Sequence, residues 1–300
     1  MLAFNSSSLA GLITGAKQEV HPEGRLGLYL EPNLILGSQK TTANQTGYHF
    51  TSAGFTLGAD YRVRDNLLVG LATGYSHTGA GFKDSGGSVE NNTWPILGYA
   101  AFLPESFYTF GSLGYSLNLF NLERGISFGS LKRMARSSPP VHQLNAYGEA
   151  GYDLKMPQVV LTPSVSLAYS RLWMEGFTES GAGSLNLKVN HQNSDSLQTG
   201  VGAKVAVPLK RNSTLIVPQF YASWQHEFSN SSRGLDARLS QGSSTFTWQT
   251  DKPRRDFAVV GGNVTMGIKK NLNLRLDYNA EVERGNYTCH NGSAGLRWEF

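Results

Sequence analysis

Apolar and polar residues alternate along most of this chain, over segments much longer than an ordinary strand. In 271–282 one face carries Leu272, Leu274, Leu276, Tyr278, Ala280 and Val282, and the other Asn271, Asn273, Arg275, Asp277, Asn279 and Glu281. In 25–36, Leu26, Leu28, Leu30, Leu34 and Leu36 oppose Arg25, Tyr29, Glu31 and Asn33. The contrast returns in 55–63, 144–154 and 197–209. A period of two marks a strand with one wet and one apolar face. Twelve such strands are predicted, at approximately 25–38, 49–63, 67–81, 88–103, 106–121, 140–155, 158–173, 194–208, 213–227, 255–269, 272–284 and 288–300. A soluble sandwich alternates too. Length separates the two cases, because a strand tilted by about 45° needs roughly 9–11 residues to cross a bilayer core.

The connections point the same way. Every second one is minimal: Arg64-Asp65-Asn66, Pro104-Glu105, Met156-Pro157, Lys210-Arg211-Asn212 and Lys269-Lys270-Asn271. Those between, at 39–48, 82–87, 122–139, 174–193 and 228–254, are long and polar; only 285–287 is short. Tight turns at one end and long loops at the other are the layout of a closed outer-membrane barrel. The expected fold is therefore all-β, a 12-stranded antiparallel transmembrane β-barrel. Segment 228–254 is expected to be a solvated external loop, with a hairpin at 240–250.

Composition narrows the function. Charged residues make up 16% of the 300, below the roughly 25% of soluble domains, and 34 are glycine. The net charge of +4 comes without a Lys/Arg block, so no nucleic-acid partner is expected. The single cysteine, Cys289, excludes an internal disulfide or a cysteine metal cage. No stretch reaches the 18 apolar residues of a spanning helix, and the N-terminus does not read as a signal peptide. An exported chain of this kind is expected to be a piece of a longer precursor.

The last strand alternates Ala294, Leu296, Trp298 and Phe300 with Gly295, Arg297 and Glu299. Leu296, Trp298 and Phe300 together resemble the C-terminal signal read by the bacterial outer-membrane barrel-assembly machinery. The runs Gly54-Phe55-Thr56-Leu57-Gly58-Ala59-Asp60-Tyr61-Arg62-Val63 and Leu67-Leu68-Val69-Gly70-Leu71-Ala72-Thr73-Gly74-Tyr75-Ser76 carry a family resemblance. So do Ala146-Tyr147-Gly148-Glu149-Ala150-Gly151-Tyr152, Pro218-Gln219-Phe220-Tyr221-Ala222-Ser223-Trp224 and Gly292-Ser293-Ala294-Gly295-Leu296-Arg297-Trp298-Glu299-Phe300. Over about 25–300 the chain resembles the autotransporter β-domain, the translocator of type V secretion.

That resemblance implies a Gram-negative outer-membrane location with the long loops outside and both barrel ends of the chain periplasmic. It also implies an N-terminally fused passenger exported to the cell surface. The implied partners are the chain's own passenger domain, the barrel-assembly machinery, membrane lipid and lipopolysaccharide. Residues 1–24 are then a linker threaded through the lumen and 25–300 the barrel. Ser6-Ser7-Ser8 can cap a helix over 9–20, ended by Pro22 and Gly24. Gly11 and Gly15 each cost about 1 kcal/mol of helicity. Twelve strands about 4.8 Å apart and tilted about 40° enclose a backbone diameter of roughly 24 Å. Side chains reduce this to a bore of about 13–14 Å, and a helix of about 10–12 Å fits it. Arg25, Glu31, Asp60, Arg62, Glu149, Asp153, Lys204, Arg275, Asp277, Glu281, Arg297 and Glu299 are expected to give a hydrated lumen lining. Asn5 is followed by Ser6, so the Asn-Asn linker of self-cleaving relatives is not recognisable.

Two other readings are a porin-like channel and a phospholipase-like barrel enzyme. The latter needs a serine polarised by an oriented histidine. Ser76 and His77 are neighbours in a strand and so point to opposite faces. No G-x-S-x-G elbow occurs, and His49, His142, His191, His226 and His290 show no metal spacing with acidic residues. No enzyme and no cofactor are expected.

Overall fold

The structure is a computed structural model. It describes Ala10, Gly11, Ile13 and residues 24–83, 86–211, 214–229, 234–252 and 254–300. Twelve long strands form the wall: β1 (Leu26–Gln39), β2 (Tyr48–Arg64), β3 (Leu67–Phe82), β4 (Ser88–Phe102), β5 (Phe107–Phe128), β6 (Pro140–Tyr152), β7 (Val160–Met174), β8 (Gln192–Ala206), β9 (Thr214–Glu227), β10 (Asp256–Lys269), β11 (Leu272–Val282) and β12 (Tyr287–Glu299). Each pairs antiparallel with the next. β12 returns to β1, with Trp298 opposite Leu28 and Thr288 opposite Ser38. The ring is closed.

Burial alternates with the pleat. In β1, Leu26, Leu28, Leu30, Leu34 and Leu36 are exposed, whereas Tyr29 and Glu31 are buried. In β12, Leu296 and Trp298 face out, and Arg297 and Glu299 face in. Leu71, Ile96, Leu113, Val165, Leu167, Val201 and Phe220 extend the exposed apolar band around the ring. This polarity is the reverse of a water-soluble fold and suits hydrocarbon outside with a polar interior.

The observed strand ends lie within two residues of the expected ones except at β5 and β6. β5 continues to Phe128 and returns as Leu131–Ser137, so 122–139 is largely a hairpin and not an irregular loop. Its two-residue connection is Gly129-Ser130, and Gly129 adopts φ +56°, which a side chain disfavours.

The other long loops are also ordered by pairing. Strands Phe177–Thr178, Leu187–Val189, Gly234–Leu239 and Thr245–Gln249 form a separate four-stranded sheet at the loop end. The hairpin therefore lies at 234–249, with 240–244 as its turn, and not at 240–250 as the alternation had suggested. Nor is this segment free in solvent. Trp248 Nε1 donates to the Asn44 carbonyl at 3.1 Å, and Asn44 Nδ2 donates to Asp251 Oδ1 at 2.8 Å. On the other side, Arg124 makes a two-pronged bond to Glu179 at 3.0 and 2.6 Å. Four wall strands separate the β9–β10 and β1–β2 connections, so these contacts tie distant parts of the rim together.

Ala10, Gly11 and Ile13 have helical backbones, and Ala10 and Ile13 are fully buried. They belong to one apolar cluster with Tyr29, Leu68, Ala72, Leu97, Tyr99, Ala101 and Phe110, near the turn end of the barrel. The remainder of the expected helix over 9–20, its serine cap and Asn5 lie outside the described residues.

Hydrogen bonds from Thr42 and Asn44 hold the exposed Asp251 carboxyl below its usual range. A carboxyl lowered in the folded state stabilises its contact above the unfolded value, and the gain disappears as pH falls through the folded one. Asp251→Ala is therefore expected to open residues 234–249 to limited proteolysis at neutral pH. The parent chain should acquire the same sensitivity only under strongly acidic conditions, assayed with an acid-active protease.

Candidate functional site: the barrel lumen

The inward side chains form clusters whose charges cancel locally. Arg297 donates to both oxygens of Asp60 at 2.7 and 2.6 Å and, through Nε, to Glu299 at 3.0 Å. The Tyr99 hydroxyl adds a bond to Asp60 at 2.9 Å. A side chain at Gly27 would run into Arg297 and Asp60, so this glycine makes room for the pair. In the second cluster, Glu149 accepts from the hydroxyls of Tyr108 and Tyr147, each at 2.5 Å, and from Lys204 Nζ. In the third, Arg275 donates to Asp277 at 3.1 Å, and Tyr221 donates to the other Asp277 oxygen at 3.1 Å.

Nine of the expected lining residues take these or similar inward places. Glu31 accepts from Ser293 at 2.8 Å. Glu281 accepts from Arg284, whose guanidinium lies over the Phe257 and Tyr287 rings. Three lie near the turn end of the barrel. Arg25 precedes β1 and is exposed. Arg62 donates to the Asp65 carbonyl of the β2–β3 turn, and Asp153, just beyond β6, accepts from Thr162. Arg62 keeps the parity of Asp60 within β2, whereas Arg25 and Asp153 lie just outside strands.

A search for charge overlooked the neutral part of the lumen. Thr78 donates to Ser52, Thr93 to Asn118, and Gln143 to both Asn145 and Ser170. Glu227, next to the outward His226, faces in and accepts from Ser196, Gln198 and two backbone amides. The period-two pattern contained these positions. Together the walls enclose a cavity of about 1000 Å³, lined among others by Tyr147, Glu149, Lys204, Tyr221, Arg275 and Asn291.

A hydrogen bond joins this wall to Gly11 of the N-terminal segment. Arg275 Nη1 donates to the Gly11 carbonyl at 2.9 Å, and a Cβ on Gly11 would lie 2.5 Å from Arg275 Nη2. The absence of a side chain at Gly11 thus permits the close approach of its backbone to Arg275.

The histidines sit elsewhere. His142 bonds Tyr115 and stacks on Trp173; His290 bonds Tyr278 at 2.8 Å; His226 meets Asp256 at 2.9 Å; His77 meets Asn92 at 3.0 Å. All four project outward with the aromatic residues. Leu296, Trp298 and Phe300 are exposed on the same outer surface.

Residues 35–279 match the autotransporter beta-domain family. Outer membrane protein A of Rickettsia rickettsii is 26% identical over 288 residues, which cover 93% of this chain and 13% of that protein. An extracellular serine protease of Serratia marcescens is 26% identical over 260 residues, or 86% of this chain and 24% of that protein. The chain therefore spans less than a quarter of the length of either relative. Among solved structures, the translocator domain of autotransporter NalP from Neisseria meningitidis superposes with a TM-score of 0.74 at 16% identity, covering 98% of this chain and 96% of that one. The β domain of the Bordetella autotransporter BrkA gives a TM-score of 0.69 at 15% identity, with 92% and 100% coverage.

The Asp60–Arg297–Glu299 cluster yields a direct test. Arg297→Ala leaves two buried carboxylates without their cation, at an expected cost of about 3–5 kcal/mol. Arg297→Lys keeps the charge but loses the two-pronged geometry and should fall between. Urea unfolding of the refolded barrel, followed by its heat-modifiable gel mobility, reads both.

Proposed function

The chain belongs to the autotransporter β-domain family, and from that premise we propose how this barrel does its work. It is an outer-membrane translocator domain. In our reading, residues 1–24 are the linker that runs through the lumen and 25–300 the barrel. A passenger joined ahead of the linker is carried to the cell surface. The observation that carries this reading is the seat of the N-terminal segment: Ala10 and Ile13 buried against inward residues, and Gly11 bonded to Arg275.

The barrel's part is passive and not catalytic. The passenger emerges as a hairpin, and the linker helix is left in the pore. Charges neutralised within the wall bind a moving chain weakly, which favours passage over capture. The turns face the periplasm and the rim sheet the exterior. Leu296, Trp298 and Phe300 serve as the recognition strand for the barrel-assembly machinery, while the outer aromatic and histidine band meets lipid and lipopolysaccharide. Energy comes from assembly partners and from passenger folding outside.

Protease treatment of intact cells that express the passenger-bearing precursor tests the reading. The passenger should be removed from outside while the barrel stays intact. A passenger degraded only after the outer membrane is opened contradicts it.

A further inference from the structure

We propose that the inner wall formed by β11 and β12 is a main-chain-binding track for the polypeptide that passes through the barrel, an inference that rests on the translocation reading. Two buried side chains on this wall carry unused hydrogen-bonding atoms. Arg275 is 5% exposed; Nη1 holds the Gly11 carbonyl and Nη2 holds Asp277, but Nε has no partner among the described residues. Asn291 is also 5% exposed, and neither its Oδ1 nor its Nδ2 is bonded among the described residues. Both residues line the cavity.

Their placement fits an extended chain. Asn291 stands opposite Asn279 in the β11–β12 register, and Gly295, which has no side chain, stands opposite Arg275. Four residues of β11 separate Arg275 from Asn279, a rise of about 13 Å. A polypeptide running up the wall covers that rise in about four residues and meets both side chains.

Their chemistry fits a backbone. A carboxamide offers an acceptor and donors, the same pair that a peptide group presents, and a guanidinium offers donors that suit carbonyls. The Arg275 charge is already met by Asp277, and both groups can be satisfied by a peptide backbone without a particular side chain. Arg275 already binds a main-chain carbonyl, at a residue where only a glycine lets the backbone approach. Elsewhere on the wall Ser52 and Thr78 are bonded to each other, as are Gln143, Asn145 and Ser170, and the other buried unpaired polar atoms among the described residues, on Tyr29, Asn91 and Ser194, do not line the cavity. A sequence-independent track on β11 and β12 lets one barrel accept every segment of a long passenger in turn.

The test uses the passenger-bearing precursor with a photo-crosslinking residue at position 279, or at 143 as the control, during stalled export. Adducts between position 279 and successive passenger residues, whatever their side chains, are expected to exceed those at 143. Asn291→Leu should slow surface appearance by about two- to tenfold, the loss of one hydrogen bond. Asn291→Gln should recover part of the rate. Equal adducts at both positions, or unchanged kinetics in a folded Asn291→Leu barrel, overturn the track while leaving translocation intact. Should Asn291→Leu fail to fold, crosslinking at 279 decides alone. A parent precursor whose passenger never surfaces overturns both readings.

Discussion

Hydrocarbon contains nothing that hydrogen-bonds, so every backbone N–H and C=O crossing it must find a partner in the protein. The β12–β1 pairing meets that demand by removing the last open edges of the sheet. Closure then sets much of the rest. It fixes which pleat faces lipid, and it gives the polar face a narrow interior. Residues that are ordinary surface polarity in an open sheet become a crowded inner wall here.

The crowding explains the character of that wall. Arg297 with Asp60 and Glu299, Lys204 with Glu149, and Arg275 with Asp277 neutralise one another within the wall. Large rings fit where a neighbouring strand gives way: Tyr29 lies over Gly58 and Tyr99 over Gly70. Glycine at these inward positions provides room for an aromatic ring, which joins the chain's glycine richness to its aromatic content. The result is an apolar, aromatic zone at the turn end, where Ala10 and Ile13 pack, and a polar cavity beside it.

Strand number, order of connections and the outward face were all legible in the alternation, because a lipid-facing strand must keep its period over its whole length. The same parity assigned charges to the inner face, and its signal weakens beside the turns, at Arg25, Arg62 and Asp153. The rim was less legible. The Gly129-Ser130 hairpin signal lay in plain sight, but the pairing of 177–178, 187–189, 234–239 and 245–249 is set by tertiary contact between distant loops. Glu227, Asn291 and the neutral wall residues were in register but uncharged or adjacent to a louder neighbour. The Arg275–Gly11 bond could not be read from either segment alone. It depends on how far the helix approaches the wall.

The central claim is that the N-terminal segment occupies a bore otherwise wide enough to conduct. Planar-bilayer conductance of the refolded chain, compared with a version lacking residues 1–21, tests it most directly. A plugged lumen gives a low, flickering current for the full chain and a large, steady one after truncation. High and equal conductance in both contradicts it and makes the barrel an open channel.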